Sequence, residues 1–383
     1  MIAYDKTLLE NTFLVTEAVN LKKSGFINDE DLSTIKTQLG SLKTNRNIFV
    51  RIGFLLLGFL LYLSIIGVVF LVSLGSGSNF KVVGFVIAAI GFGILELLCA
   101  TNYFRHGLDD AFIIAAQVVL YSTIAFESDS PTSLFWAMII CGFICAARYV
   151  STISFLVSLS GIVLLISYSL VTNSTVSSIL PFVLLLTAII FYVIYIESEN
   201  NSTLYLYQDI LQWHFIYSLF LGYLSVNYFV VRAISEDYLG ADYSNNDIPF
   251  GWIFYLLMFV IPLVYIFYSL KTKNRTMLYI GCITFVLSVA TFRYYHSVLP
   301  AEWELLVLGL GLFGLVYFVI QKIKTRATGI TFQQDRTNDT AMLNNIEALI
   351  VNSQELQHAE QNSQSEMPFD GGDFSGGGAG GSF

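Results

Sequence analysis

Hydrophobic positions in this chain do not alternate with polar ones over most of its length; they merge into runs of about 20 residues. A bilayer core of roughly 30 Å requires about 20 apolar residues per helix, since no water is present there to satisfy backbone N–H and C=O groups. Ten stretches meet that length, at 48–75, 82–103, 111–127, 132–150, 151–171, 177–196, 206–231, 250–270, 276–292 and 302–321. Residues 132–171 read almost as one block, and Arg148 in its middle predicts a break at the membrane surface. The expected fold is all-α, a polytopic transmembrane helix bundle of about ten spans over 48–321.

The flanks follow another pattern. Residues 1–47 are polar and mixed in charge and hold no apolar h-region, so the first span serves as the insertion signal. Leu14, Ala18 and Leu21 repeat at i, i+4 and i+7, and Gly25 suits a helix C′ position. Asn28 is placed to cap a second helix whose first turn holds Asp29, Glu30 and Asp31, with a stripe of Leu32, Ile35 and Leu39. A helical hairpin results, too small to be stable alone and therefore expected to dock on the membrane domain or another subunit. Residues 322–367 form a tail with one amphipathic helix marked by Met342, Ile346, Leu349, Ile350 and Leu356, and 368–383 form a Gly-rich terminus that cannot repay its ordering entropy.

Composition agrees: 55% of the 383 residues are hydrophobic and only 12% charged, well below a soluble protein. The formal charge is −9 with no basic block, which argues against a nucleic-acid partner. Cys99, Cys141, Cys145 and Cys282 lie inside apolar runs and read as small buried residues, not as disulfides or a zinc site.

Lys and Arg fix the orientation, because positive loops stay cytoplasmic. With both termini cytoplasmic, 12 basic residues fall on that side (Lys36, Lys43, Arg46, Arg51, Arg105, Arg148, Lys271, Lys273, Arg275, Lys322, Lys324 and Arg326) and 3 on the other (Lys81, Arg232 and Arg293). The outer loops are acidic, the longest of them at 232–249.

A charge in hydrocarbon costs at least a few kcal/mol, so intramembrane ionisable groups are the default candidates for function. Glu96 leads, about nine residues or roughly 13 Å short of Arg105 along the second span. Arg148 is its expected partner by depth, and Gln117 is placed to hydrogen-bond either one. This trio reads as an ion or proton site, or as a pair that locks helices together. A second cluster, Arg105, His106, Asp109, Asp110, Asp209 and His214, gathers at the cytoplasmic ends of neighbouring spans. His and carboxylates are common ligands, but this spacing is unspecific and equally describes helix caps and interfacial charges, so neither a metal nor a cofactor is assigned. There is no nucleotide-binding loop, His-Glu-x-x-His helix or Gly-x-Ser-x-Gly elbow, so no enzymatic activity is expected.

The segment from Leu21 through Gly25-Phe26-Ile27-Asn28 to Leu32, with Phe292-Arg293-Tyr294-Tyr295, Leu299-Pro300 and the Gly-rich run Leu308–Gly314, resembles a bacterial family of predicted polytopic membrane proteins of unknown function. That resemblance implies a bacterial cytoplasmic-membrane location and the N-terminal hairpin, and no activity. The function expected is that of a non-enzymatic integral membrane scaffold or sensor, in contact with the lipid bilayer and recruiting protein partners through hairpin and tail. The alternative is a secondary transporter or channel for a small ion or solute using Glu96.

Overall fold

A computed structural model describes residues 2–296 except 24, 46, 77, 78, 129, 173–178, 240–247 and 249, together with seven helical positions between 306 and 321. The α-helices of the described residues run in the order α1 (Lys6–Lys23), α2 (Asp29–Gln38), α3 (Ile48–Ser76), α4 (Phe80–Ala100), α5 (Leu108–Glu127), α6 (Thr132–Tyr149), α7 (Thr152–Val171), α8 (Leu180–Glu199), α9 (Gln208–Leu224), α10 (Tyr228–Leu239), α11 (Gly251–Thr272) and α12 (Arg275–Tyr295). Eight of these, α3 to α8 with α11 and α12, are long and apolar enough to cross a bilayer. They are the helices of a multi-pass membrane protein. The predicted tenth span lies mostly outside the described residues, and the 322–367 tail with its amphipathic helix and the Gly-rich terminus lie wholly outside them; of the predicted 232–249 loop, the first residues, to Leu239, continue α10, and 240–247 and 249 lie outside the described residues.

Neighbouring helices pair in sequence, α4 with α5, α6 with α7, α8 with α9 and α11 with α12, as short connections require. With hydrocarbon on all sides, such pairs depend on close packing of small residues rather than on hydrophobicity. At Gly142 in α6 an added Cβ would stand 2.8 Å from the Ser154 carbonyl oxygen and 2.9 Å from Ser158 Cβ of α7, so only glycine admits this approach. The break predicted near Arg148 is present: α6 stops at Tyr149, Val150 turns left-handed at φ 51°, and Ser151 accepts from the Ser154 N–H to start α7.

The predicted seventh span, 206–231, is not one helix. It breaks after α9 and bends by 71° into α10. The cause is Asn227, buried at the break, whose Oδ1 accepts from the Phe229 and Val230 amides and caps α10. Its Nδ2 donates to Tyr223 Oη at 2.8 Å and to Thr291 Oγ1 of α12 at 3.2 Å. Tyr223 lies 3.1 Å from Ser288 Oγ, and Ser288 donates to the Met258 carbonyl of α11. Pro262 explains that last bond: it has no N–H for the carbonyl four residues earlier, which is that of Met258.

The N-terminal hairpin closes as its residues predict. Phe26 N–H bonds the Leu21 carbonyl and Gly25 N–H that of Lys22, with Gly25 at φ 77°, a Schellman ending for α1. Asn28 N–H donates to Asp31 Oδ2 at 3.2 Å in the capping box of α2. The buried face of α1 is not the predicted one, however. Leu9, Thr12, Val15 and Ala18 face inward while Leu14 and Leu21 are exposed. Thr12 reads as polar in sequence, but its hydroxyl donates to the Leu8 carbonyl at 2.7 Å and accepts from Leu42 N–H at 2.9 Å, which lets it sit inside. Of the cysteines, Cys282 also departs from expectation, being exposed on α12.

Candidate functional site

Glu96, on the last full turn of α4, meets Arg148 at the end of α6. Arg148 donates through Nε to Oε1 at 2.5 Å and through Nη2 to Oε2 at 2.8 Å, the two-pronged geometry that guanidinium and carboxylate share. Tyr149 Oη donates to Oε1 at 2.6 Å. Both oxygens of Glu96 are therefore held, although Arg148 and Glu96 keep 41% and 40% of their side-chain surface open. Tyr149 was missed because consecutive helical residues do not face the same way; the left-handed turn at Val150 ends the helix immediately after it.

Gln117 does not join them. It is buried in α5 and donates to Ser154 Oγ of α7 at 2.7 Å, where Ser154 in turn contacts Ser151 Oγ at 3.0 Å. The third member of the predicted trio thus ties α5 to α7 instead.

The second predicted cluster does not stay together, and its members meet different partners with different chemistry. Asp109 is buried, and its carboxylate accepts from the backbone N–H groups of Arg105, His106 and Gly107 at 2.6, 2.9 and 3.0 Å. Positive φ values at Arg105 and Gly107 turn these amides to one side, and at Gly107 a side chain would strike the Arg51 carbonyl. Asp110 pairs with Arg51 of α3, Nε and Nη2 standing 2.7 and 2.6 Å from Oδ2. Arg105 reaches across to Asp209 of α9 at 2.5 Å. His106 lies between the rings of Phe54 and Tyr103, with centroids 4.3 and 4.8 Å away. His214 is outside the charged ring altogether, buried against Phe155 and Phe191 at 5.4 and 5.7 Å. Among the described residues no three His, Cys, Asp or Glu side chains come together as metal ligands do.

The hairpin docks on this end of the bundle. Lys43 and Tyr103 form a parallel bridge, with Lys43 N–H to the Asn102 carbonyl at 2.8 Å and Phe104 N–H to the Lys43 carbonyl at 3.1 Å. Asn45 Nδ2 donates to the His106 carbonyl at 2.9 Å. Ala3 N–H donates to the Arg148 carbonyl at 2.8 Å, so the segment before α1 touches the same residue that clamps Glu96. Tyr4 follows, buried against Phe104 at 5.1 Å, and burial pushes its phenol far above the ordinary range. Tyr205, in the 3-10 turn Ser202–Tyr207 before α9, donates to Glu10 of α1.

No protein-family model, curated protein or solved structure matches this chain. The reading of the site therefore rests on its own geometry.

Proposed function

We propose that this chain is a non-enzymatic membrane scaffold or sensor that recruits a protein partner through its cytoplasmic hairpin. One observation carries the reading. The hairpin is fixed to the bundle by backbone and side-chain bonds on one side, and on the other it presents Leu14, Leu21 and Phe26 at 56, 38 and 53% exposure. Leu14 and Leu21 lie two turns apart on one face of α1, and Phe26 follows its end, so a fixed apolar surface stands outside the spans.

Glu96 supports the same reading. A carboxylate that binds transported cations needs uncompensated charge, and that of Glu96 is already matched by the Arg148 guanidinium, with three of its roughly four lone pairs taken by Arg148 and Tyr149. This favours a lock between α4 and α6 over the alternative of a transporter or channel built on Glu96. We also propose ten spans with both termini cytoplasmic, supported by the basic residues at the hairpin end of the helices, Lys43, Arg51, Arg105, Arg148, Lys271, Lys273 and Arg275. The resemblance at the two ends of the membrane domain supports a bacterial cytoplasmic membrane.

The test is site-specific photocrosslinking in cells. A probe at Leu14 or Phe26 is expected to give one discrete protein adduct that a probe at the lipid-facing Leu61 does not give. Adducts to lipid alone at all three positions would defeat the proposal.

A further inference from the structure

Cys141 and Cys145 stand one turn apart on α6, and their Sγ atoms meet at 3.9 Å. That contact is a weak one, since a thiol is a poor donor and a poor acceptor. Both thiols line a cavity of about 420 Å³ that α6 forms with Phe92 of α4 and Leu120 of α5. The cavity follows α6 from Ala137 to Tyr149, where the helix ends, so it reaches from within the span to the end that carries Arg148. Two further polar groups belong to the same place. Tyr121 Oη of α5 is buried without a hydrogen-bond partner of its own, and Cys141 is the polar side chain beside it. Gln117, one turn earlier on α5, gives one amide hydrogen to Ser154 and has Cys145 within reach of the second.

We propose that Cys141 and Cys145 bind one copper(I) ion as a two-thiolate site. Metal–thiolate bonds are about 2.3 Å long, so a single ion touches both sulfurs at any separation up to about 4.6 Å, a condition that 3.9 Å meets without moving α6. Thiolates select soft ions. Zinc in a closed site takes four ligands and an iron–sulfur cluster takes four cysteines, whereas among the described residues no third His, Cys, Asp or Glu joins this pair. Copper(I) is the soft ion that two sulfurs can hold. Each thiol loses its proton on binding, leaving two thiolates and one cation with a net charge of −1. A thiolate accepts hydrogen bonds far better than a thiol, so this is the state in which the Tyr121 hydroxyl gains a partner and Gln117 uses its second hydrogen. Cysteines that only filled space would leave the Tyr121 hydroxyl unpaired. Binding here does not depend on the recruiting role proposed above.

The test is anaerobic titration of the full chain in detergent with copper(I) against a chromophoric copper(I) chelator, followed by X-ray absorption at the copper edge. A Cys99→Ser/Cys282→Ser background silences the other thiols. One copper per chain should be retained, with two sulfur neighbours at about 2.3 Å. Cys141→Ser and Cys145→Ser should each weaken retention more than about 100-fold, beyond the range that outer partners of a metal span. Tyr121→Phe, which deletes one oxygen and keeps the fold if a serine variant does not, should weaken it about tenfold. Affinity should also rise with pH, because protons leave as copper binds. Retention no greater than that of a variant with all four cysteines replaced by serine would overturn the proposal. So would retention that survives Cys141→Ser or Cys145→Ser, tighter retention of zinc, or oxygen and nitrogen neighbours in place of sulfur.

Discussion

The bond from Ser288 to the Met258 carbonyl can be tested against its stated cause. Ser288 and Met258 are both fully buried, and Pro262 deprives that carbonyl of its partner within α11. Ser288→Ala removes the donor and also the neighbour of Tyr223 Oη. A buried polar group left unpaired costs about 1–3 kcal/mol, while interhelical hydrogen bonds in membranes average about 0.6 and reach about 1.7, so the expected loss is about 1–2 kcal/mol. Pro262→Ala restores an amide hydrogen four residues after Met258. In that background the carbonyl is satisfied inside α11, and Ser288→Ala should cost only the Tyr223 contact, about half as much. The assay is reversible denaturation in mixed micelles for the four proteins of this double-mutant cycle, with an expected coupling of about 0.5–1 kcal/mol. If the two substitutions add to within about 0.3 kcal/mol, the proline is not the reason for the serine, and the argument fails.

Three further outcomes are expected. Glu96→Gln should destabilise the protein by about 2 kcal/mol, a value between exposed and buried ion pairs that suits a pair about 40% open, and Glu96→Leu/Arg148→Leu should recover most of it; a double variant worse than the single one in thermal denaturation would contradict a lock between helices. Gly142→Ala should lower stability by about 1–3 kcal/mol because its Cβ meets the backbone of α7, whereas Gly53→Ala, with nothing within 4 Å, should change it by less than about 0.5 kcal/mol; equal effects in parallel melts would refute the packing argument. Asp5 accepts from the Leu8 and Thr7 amides, at 3.1 and 2.8 Å, and these bonds hold its carboxyl below the ordinary value of 3.8. A depressed acid contributes stability above its unfolded pKa and loses it as pH falls through the folded one, so amide exchange at Thr7 and Leu8 should remain protected at pH 5 and become unprotected in more acid solution, while Asp5→Asn should show no such step.

The apolar runs announced the helices, and two caps were readable residue by residue: Gly25 for the end of α1, and Asn28 with Asp31 for the start of α2. Arg148 marked its break because a charge rarely sits mid-span. Helix rotation was another matter. A span that is apolar all round has no stripe to say which way it faces, so depth alone could bring Glu96 to Arg148 but could not direct Gln117 to Ser154. The α9–α10 break stayed hidden for a related reason. Residues 206–231 are continuously apolar enough to span, and Asn227 acts as a cap only because Tyr223 and Thr291, the latter 64 residues away, hold its amide. The inner face of α1 was misjudged at Thr12, whose burial requires the Leu42 amide from the segment after α2.

The first span has a mechanical consequence of its own. At 29 residues α3 is roughly 43 Å long, against a hydrocarbon thickness of roughly 30 Å. Its neighbours grip it past the middle: Arg51 anchors one end to Asp110, Gly58 lies against Ala111, Tyr62 is buried and donates to the Ile87 carbonyl of α4, and Ile65, Ile66 and Val69 pack on the same core, while Val68, Leu71, Val72 and Leu74 face outward. A rod held from one end past its middle and longer than the layer it crosses must lean or carry its far end into the headgroups. Packing on α4 and α5 limits how far α3 can lean, so a change of bilayer thickness falls on its last turns, past Val69, which must bend or enter the headgroups while the packed part stays put.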